Sequence, residues 1–374
     1  YWREIPIAFQ YSIIWVTCMV ATCQNGGRPL SITNAYCRLN RTMHGHEMRE
    51  GNINAASLTI EHILNGPLHE GCRMDEGAIL VTGVGGIGCT WAERAHSKCS
   101  ELADLLLIDA DEASFAGASA AHCLHLDAGG DGRGTAALPA LAAHRLRDGI
   151  DSVAPLLEQA ELVVIMTGLG GGMGSGASAE LASLAYENDC LVIAIAGLPF
   201  AEQPLRCKIA EAAIQALEEN SHVCIRVSME RLAWQARYRD DDWRSGSGWI
   251  GELVEGLVTT LAKVGKINLD LMDLRTVINR PGNATLIVGT GTTDRPDKVV
   301  GEARKSPLSD LRVDGAKGCM IQVEGGPDMT LAHLNEVTEA FVSSLDPDCQ
   351  VIMGARASDE MMGRIRLVAV VSGL

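Results

Sequence analysis

Glycine dominates the two stretches of this chain most able to do chemistry, Gly83-Val84-Gly85-Gly86-Ile87-Gly88 and Gly168-Leu169-Gly170-Gly171-Gly172-Met173-Gly174-Ser175-Gly176. Each follows a short apolar run and precedes a segment with helical spacing, so each sits where a β-strand hands over to a helix. Phosphate is bound by backbone N–H groups converging on it, and a side chain would block that approach. Glycine leaves the approach open, and the positive end of the helix dipole adds attraction. Two such loops in one α/β unit would grip a nucleotide from both sides. The first satisfies G-x-G-x-x-G, and Asp109 lies about 20 residues beyond it, where a dinucleotide-binding domain keeps its ribose-binding acid. Taken alone, this reads as a nicotinamide- or flavin-dependent oxidoreductase. The second run, with five glycines in the seven residues from Gly170 to Gly176, has no use in that fold and favours a nucleotide clamp.

A parallel sheet is needed to position these loops. From Ala78, short apolar strands (Ile79 to Thr82, Leu105 to Ile108, Leu162 to Met166, Leu191 to Ala196, Val223 to Val227) alternate with helical stretches (Thr90 to Cys99, Ala177 to Asn188, Ala210 to Glu219). That alternation predicts a doubly wound sheet. A polar stretch from Gln235 to Gly248 leads into a periodic run from Trp249 to Val264, expected as one long helix hinging two domains. Beyond it, strands at Ala284 to Gly289, Gly318 to Val323, Gln350 to Gly354 and Ile365 to Val371, with helices at Asp297 to Lys305 and Thr330 to Ser344, form a smaller α+β domain. The expected division is an N-terminal extension over 1–75, a nucleotide-binding domain with the central helix over 76–265, and the α+β domain over 266–374.

Composition narrows the partners. The 374 residues are 47% hydrophobic and 21% charged, as in soluble globular proteins, and the net charge of -16 repels nucleic acid and anionic lipid. The 12 cysteines are scattered without a CxxC pair or a metal-ligand cluster, so reduced thiols and no metal site are expected. His44 and His46 form an HxH beside no cysteine and read as a solvated loop. Residues 1–75 read as an extension, either disordered or an anchor, because Ile5 to Cys23 approaches the length of a membrane span.

The order of motifs from Ile79 to Leu374 resembles that of the FtsZ family, the tubulin-like cell-division GTPases. The family's phosphate loop, GGGTGTG, is similar to Gly170, Gly171, Gly172, Met173, Gly174, Ser175 and Gly176, with methionine and serine in place of two threonines. Its first loop is similar to Gly85, Gly86, Gly88 and Thr90, the last standing for an asparagine. Of the acidic strand end Asp109-Ala110-Asp111, only Asp111 matches. Gly132-Arg133-Gly134-Thr135-Ala136-Ala137-Leu138-Pro139 partly matches a loop near the terminal phosphate. Glu202 and Arg206 keep the spacing of the family's ribose- and phosphate-contacting pair, although by themselves they read as a solvated helix pair. The family's guanine-reading Phe and Asp fall on Arg244 and Gly248, which lack those side chains, leaving Asp240 to Asp242 or Trp243 as substitutes. Asn268, Asp270 and Asp273 match the loop that acts in trans on a neighbour's γ-phosphate, while by spacing alone they read as a helix N-cap.

The resemblance implies a Rossmann-like α/β domain joined by a long central helix to a smaller α+β domain, GTP or GDP as ligand, and Mg2+ held through phosphates and water. It also implies a head-to-tail homopolymer that hydrolyses GTP at the subunit interface, as a cytoplasmic, membrane-associated division protein. Ser306-Pro307-Leu308, Gly315-Ala316-Lys317-Gly318 and Leu367 to Gly373 resemble the family's second domain. The family's C-terminal docking peptide is not in this sequence, so adaptor partners stay unassigned, and Ile5 to Cys23 is the remaining route for membrane contact. The alternative is a structural filament that binds nucleotide with weak or no hydrolysis.

Overall fold

The computed structural model describes residues 74–116, 122–126, 134–246, 248–279, 283–305 and 313–374. The expectations for Ile5 to Cys23, His44, His46, Gly132, Arg133 and Ser306 to Leu308 lie outside the described residues.

The first sheet is built from β1 (Ile79–Val84), β2 (Asp104–Asp109), β3 (His122–His125), β4 (Leu162–Gly168), β5 (Leu191–Leu198) and β6 (Val223–Ser228). All its pairings are parallel, in the order β3-β2-β1-β4-β5-β6. A parallel sheet is covered on both faces, which is why its inner strands are apolar at successive residues. In β1, Ile79 and Val81 join the core containing Trp91, Leu253 and Leu257, while Leu80 and Val84 join the one containing Leu146, Leu181 and Leu217.

The covering helices are α1 (Gly85–His96), α2 (Pro139–Gly149), α3 (Ala154–Gln159), α4 (Gly172–Glu187), α5 (Pro204–Glu219) and α6 (Met229–Arg239). Three of them begin earlier than expected: α1 at Gly85 instead of Thr90, α4 at Gly172 instead of Ala177, and α5 at Pro204 instead of Ala210. Glycine is a poor helix former, but contact decides here: a Cβ on Gly88 would collide with the Met166 carbonyl, and one on Gly176 with that of Pro139. Strand β3 and helices α2 and α6 were not anticipated.

Helix α7 (Trp249–Ala262) is the expected central helix, ending two residues before Val264. Only Glu252 and Glu255 of its 14 residues escape burial, as a helix packed on all sides requires. Beyond it come α8 (Leu271–Ile278), β7 (Ala284–Thr292), α9 (Asp297–Ala303), β8 (Gly318–Gly325), α10 (Leu331–Val342), β9 (Gln350–Ala357) and β10 (Arg364–Ser372). The second sheet has the order β7-β10-β8-β9, antiparallel except between β8 and β9. It approaches α7 closely at Gly256, where a Cβ would lie 2.7 Å from Cγ2 of Val368. Beside that contact, Arg366 pairs with Glu255 of α7 at 3.0 Å and with buried Glu324, which also holds Arg356.

Candidate functional site

Strand order reverses direction between β1 and β4, and in open α/β sheets the crevice beyond the carboxyl ends at such a point is where ligands bind. Both glycine loops leave the sheet there. They meet back to back: a Cβ on Gly85 would lie 3.2 Å from the Gly174 nitrogen. Gly85 and Gly170 hold φ of +74° and +93°, the left-handed region that a side chain disfavours.

Hydroxyl groups brace the second loop from within. The Thr167 hydroxyl, fully buried, donates to the Gly174 carbonyl at 2.8 Å, and Ser178 donates to the same oxygen. The Gly170 N–H donates to Ser175 Oγ at 2.8 Å. Met173 is buried in the core beneath the loop, so the methionine costs the loop a hydroxyl without obstructing its backbone. At Gly171, the N-cap of α4, a Cβ would meet no atom within 4 Å, so the cradle is open there.

The other proposed contacts gather around this crevice. Gly86 and Gly88 lie in the first turn of α1, and the Thr90 hydroxyl donates to the Gly86 carbonyl at 2.9 Å. Asp111 is exposed and accepts from the Ala113 N–H at 3.0 Å. Asp109 is buried, accepting from the Ala110 N–H at 2.7 Å and the Ser114 hydroxyl at 2.6 Å, so both oxygens are already engaged in its own loop. Arg206 stands against Gly170, whose Cβ would lie 2.8 Å from that of Arg206, with exposed Glu202 in the preceding turn.

Thr167 was not anticipated beside the crevice, and Thr135 was read only as part of the loop that partly matches one near the terminal phosphate. Thr135 is buried against Gly172, and the turn holding it is strained: Ala136 and Ala137 have φ of +47° and +59°. Such strain collects at ligand sites. Thr167 does not stand out from its sequence neighbours. An aromatic wall flanks the crevice, with Phe200 edge-on to Trp243 at 5.1 Å and the Arg244 guanidinium 5.2 Å from the Trp243 ring. The α7 N-cap, Gly248, provides no side-chain cap.

Asn268, Asp270 and Asp273 lie at the opposite end of the sheet. Asp270 Oδ1 accepts from the Asp273 N–H at 2.9 Å, and Asp273 Oδ2 from the Asp270 N–H at 3.0 Å, a reciprocal capping box at the start of α8. The Gly265 N–H donates to Asn268 Oδ1 at 2.7 Å. A cleft of about 730 Å³ opens here, lined by Asp75, Glu161, Asp189, Asp270, Met272 and Arg275. Asp75, Glu161 and Asp189 precede β1, β4 and β5, so this cleft faces away from the glycine loops. At about 3.3 Å per residue, β4 alone separates the two ends by roughly 20 Å.

Arg275 ties α8 to this edge, donating to the Asp189 carbonyl at 2.7 Å. Nearby, His222 stacks on Tyr186 at 5.0 Å, and its Nδ1 accepts from the Val192 N–H at 3.0 Å. Burial, reinforced by Arg275 and opposed by Asp189, lowers its pKa below the usual 6.5. Protonation would also remove the acceptor that Val192 uses. Because the folded value is depressed, this contribution to stability is present above about 6.5 and is lost as pH falls through the folded value. His222→Gln should therefore flatten the pH dependence of the melting temperature below about pH 6.5. An unchanged slope would refute this.

Among the described residues, no group of three or more His, Cys, Asp or Glu side chains could hold a metal ion, and no helix is long and apolar enough to cross a membrane.

Comparison with known proteins bears on both ends of this molecule. Residues 78–235 match the family model for the Tubulin/FtsZ family, GTPase domain, and residues 282–374 that for the FtsZ family, C-terminal domain. The chain is 32% identical over 308 residues to cell division protein FtsZ 1 of Archaeoglobus fulgidus, covering 79% of this chain and 82% of that protein. It is 30% identical over 306 residues to cell division protein FtsZ 2 of Methanocaldococcus jannaschii, covering 80% of each. In fold, it is similar to the empty FtsZ dimer of M. jannaschii, with a TM-score of 0.70 at 24% identity over 87% of this chain and 93% of that one. A dinucleotide-dependent oxidoreductase is thereby replaced as a reading of the first glycine loop, and the chain belongs to the FtsZ family of tubulin-like GTPases.

Proposed function

We propose that this protein binds GTP at the paired glycine loops, assembles head to tail, and hydrolyses GTP only where a neighbour completes the site, as a filament serving cell division. The observation that carries this is the placement of the two half-sites at opposite ends of one sheet. Asp270 and Asp273 cannot reach their own chain's phosphate loops, but a translated copy can present them to the next subunit. Such a contact joins two different faces and generates an open row. There, Asp270 and Asp273 would position and polarise the attacking water, with Asn268 holding the loop that presents them.

At the other half, the N–H groups of Gly171 to Gly174, in the first turn of α4, and of Gly85, Gly86 and Gly88 would receive the phosphates, with Arg206, which stands against Gly170, beside them and Glu202 at the sugar. The open space over Gly171 fits a phosphate. Mg2+ would be held through phosphates and water and would offset the charge that develops on the γ-phosphoryl oxygens.

The test is phosphate release per molecule against protein concentration, which should show a threshold that coincides with sedimentable polymer. Asp270→Asn keeps the cap acceptor and should lower the rate at least about 100-fold without preventing assembly. Release proportional to concentration from the lowest values upward would refute completion by a neighbour. The structural-filament alternative is favoured by the second loop itself, where Met173 has no hydroxyl and that of Ser175 is engaged by Gly170. It predicts GTP-dependent sedimentation with no phosphate release.

A further inference from the structure

We propose that Arg244, stacked on Trp243, reads the acceptor edge of the purine, so that the site takes guanosine and inosine nucleotides alike and rejects adenosine nucleotides. This rests on the nucleotide reading above and deepens it.

The glycine loops hold the phosphate end, and a base at the other end needs a flat surface on which to stack. The Trp243 indole provides one, with Phe200 edge-on to it at 5.1 Å. Phe200 precedes α5, whose Arg206 touches the second glycine loop, and the turn Trp243–Ser245 packs against α1, which carries the first. The aromatic pair thus joins the two elements, α1 and the start of α5, that carry or touch the loops. A guanidinium already rests on the indole, the arrangement that a planar cation adopts against an aromatic face.

The hydrogen-bonding groups beside this surface are unlike those that would read the amino edge of guanine. That edge presents N1–H and the 2-amino group and requires an acceptor. Gly248 has no side chain to offer one at the start of α7. Asp242 Oδ1 accepts the N–H of Arg244 at 3.1 Å. Asp241 Oδ1 accepts that of Asp242 at 2.8 Å and faces Arg94 at 3.8 Å. One oxygen of each carboxylate is thus engaged by the backbone of its own loop, and that of Asp241 also by Arg94.

Arg244 is exposed and offers only donors. Its fork matches two adjacent acceptors, and in guanine these are O6 and N7. Hypoxanthine has the same pair and lacks only the 2-amino group. Adenine replaces O6 with an amino group, so that donor would meet donor.

The experiment is equilibrium binding of GTP, ITP and ATP to the full chain and to two variants. The parent should bind ITP within about threefold of GTP and ATP at least about 30-fold more weakly. Arg244→Ala should bring ATP to within about fivefold of GTP, a change of ratio that a purely structural role would not produce. Trp243→Ala should weaken all three by a common factor of about ten. A preference of tenfold or more for GTP over ITP would assign the reading to a carboxylate such as Asp240 and overturn this proposal alone. So would an Arg244→Ala variant with the parent's GTP-to-ATP ratio. Failure of all three nucleotides to bind would remove the nucleotide reading and this proposal with it.

Discussion

Replacing Gly171 by valine is expected to leave the melting temperature within about 2 °C of the parent while weakening GTP binding by about 100-fold, or nearly 3 kcal/mol. The glycines of the second loop differ in what they must avoid. A Cβ on Gly174 would collide with the Gly168 carbonyl, one on Gly176 with that of Pro139, and one on Gly172 with the Thr135 hydroxyl. Those positions are glycine because the protein's own atoms fill the space. Gly171 is different: a Cβ there meets nothing within 4 Å, and φ of -106° with ψ of 176° is extended backbone that valine adopts readily. Only a ligand would exclude a side chain from this position. Fluorescent nucleotide titration beside a thermal melt separates the two effects. Parental affinity in a folded Gly171→Val protein would place the phosphates elsewhere. Mixed with Asp270→Asn, this variant should restore the phosphate release that neither shows alone, since one contributes an intact glycine face and the other intact carboxylates.

The second large effect is expected at Glu324. Its carboxylate is buried and holds Arg366 at 2.5 Å together with Arg356. Arg366 is itself buried and reaches across to Glu255 of α7 at 3.0 Å. Removing one member of a buried ion pair leaves an uncompensated charge out of water, so Glu324→Ala should cost about 3 to 5 kcal/mol. Urea denaturation measures this, and a loss below about 1 kcal/mol would mean that water reaches the pair. Asp297→Ala, which breaks an exposed pair with Arg295, should leave the midpoint unchanged. The Glu324 variant should also loosen the second sheet from α7, since Arg366 is their ionic link.

The sheet was legible because burial on both faces leaves little choice of residue: Ile79, Leu162 and Leu191 open apolar runs that the structure makes β1, β4 and β5. The glycine loops were legible because, at Gly88, Gly172, Gly174 and Gly176, no other residue tolerates the contacts. Strand β3 was not, since only Leu124 of its four residues is buried and an edge strand of that length has no periodicity to detect. Helix α2 had a usable signal, Pro139 at its first position, masked by the glycine-rich stretch before it. Helix α6 is polar and merged with the acidic and basic run that follows. At Asp270 and Asp273, the two readings of the spacing are compatible: the residues do cap α8, and the cap is what fixes their orientation. Thr167 carries no sequence signal, because its partners are carbonyls brought to it by the fold, whereas Thr135 was legible only through its place in the partly matching loop.

A molecule with its two half-sites at opposite ends of one sheet has a direction, and so would any row built from it. At one end of such a row, the last subunit would expose its glycine loops with no neighbour's carboxylates above them. GTP held there could exchange but not react, whatever the age of the filament. At the other end, the last subunit would expose only Asp270, Asp273 and the cleft around them, while its nucleotide would already be enclosed. The two ends should therefore grow and shrink at different rates, with one kept chemically young by the absence of a partner.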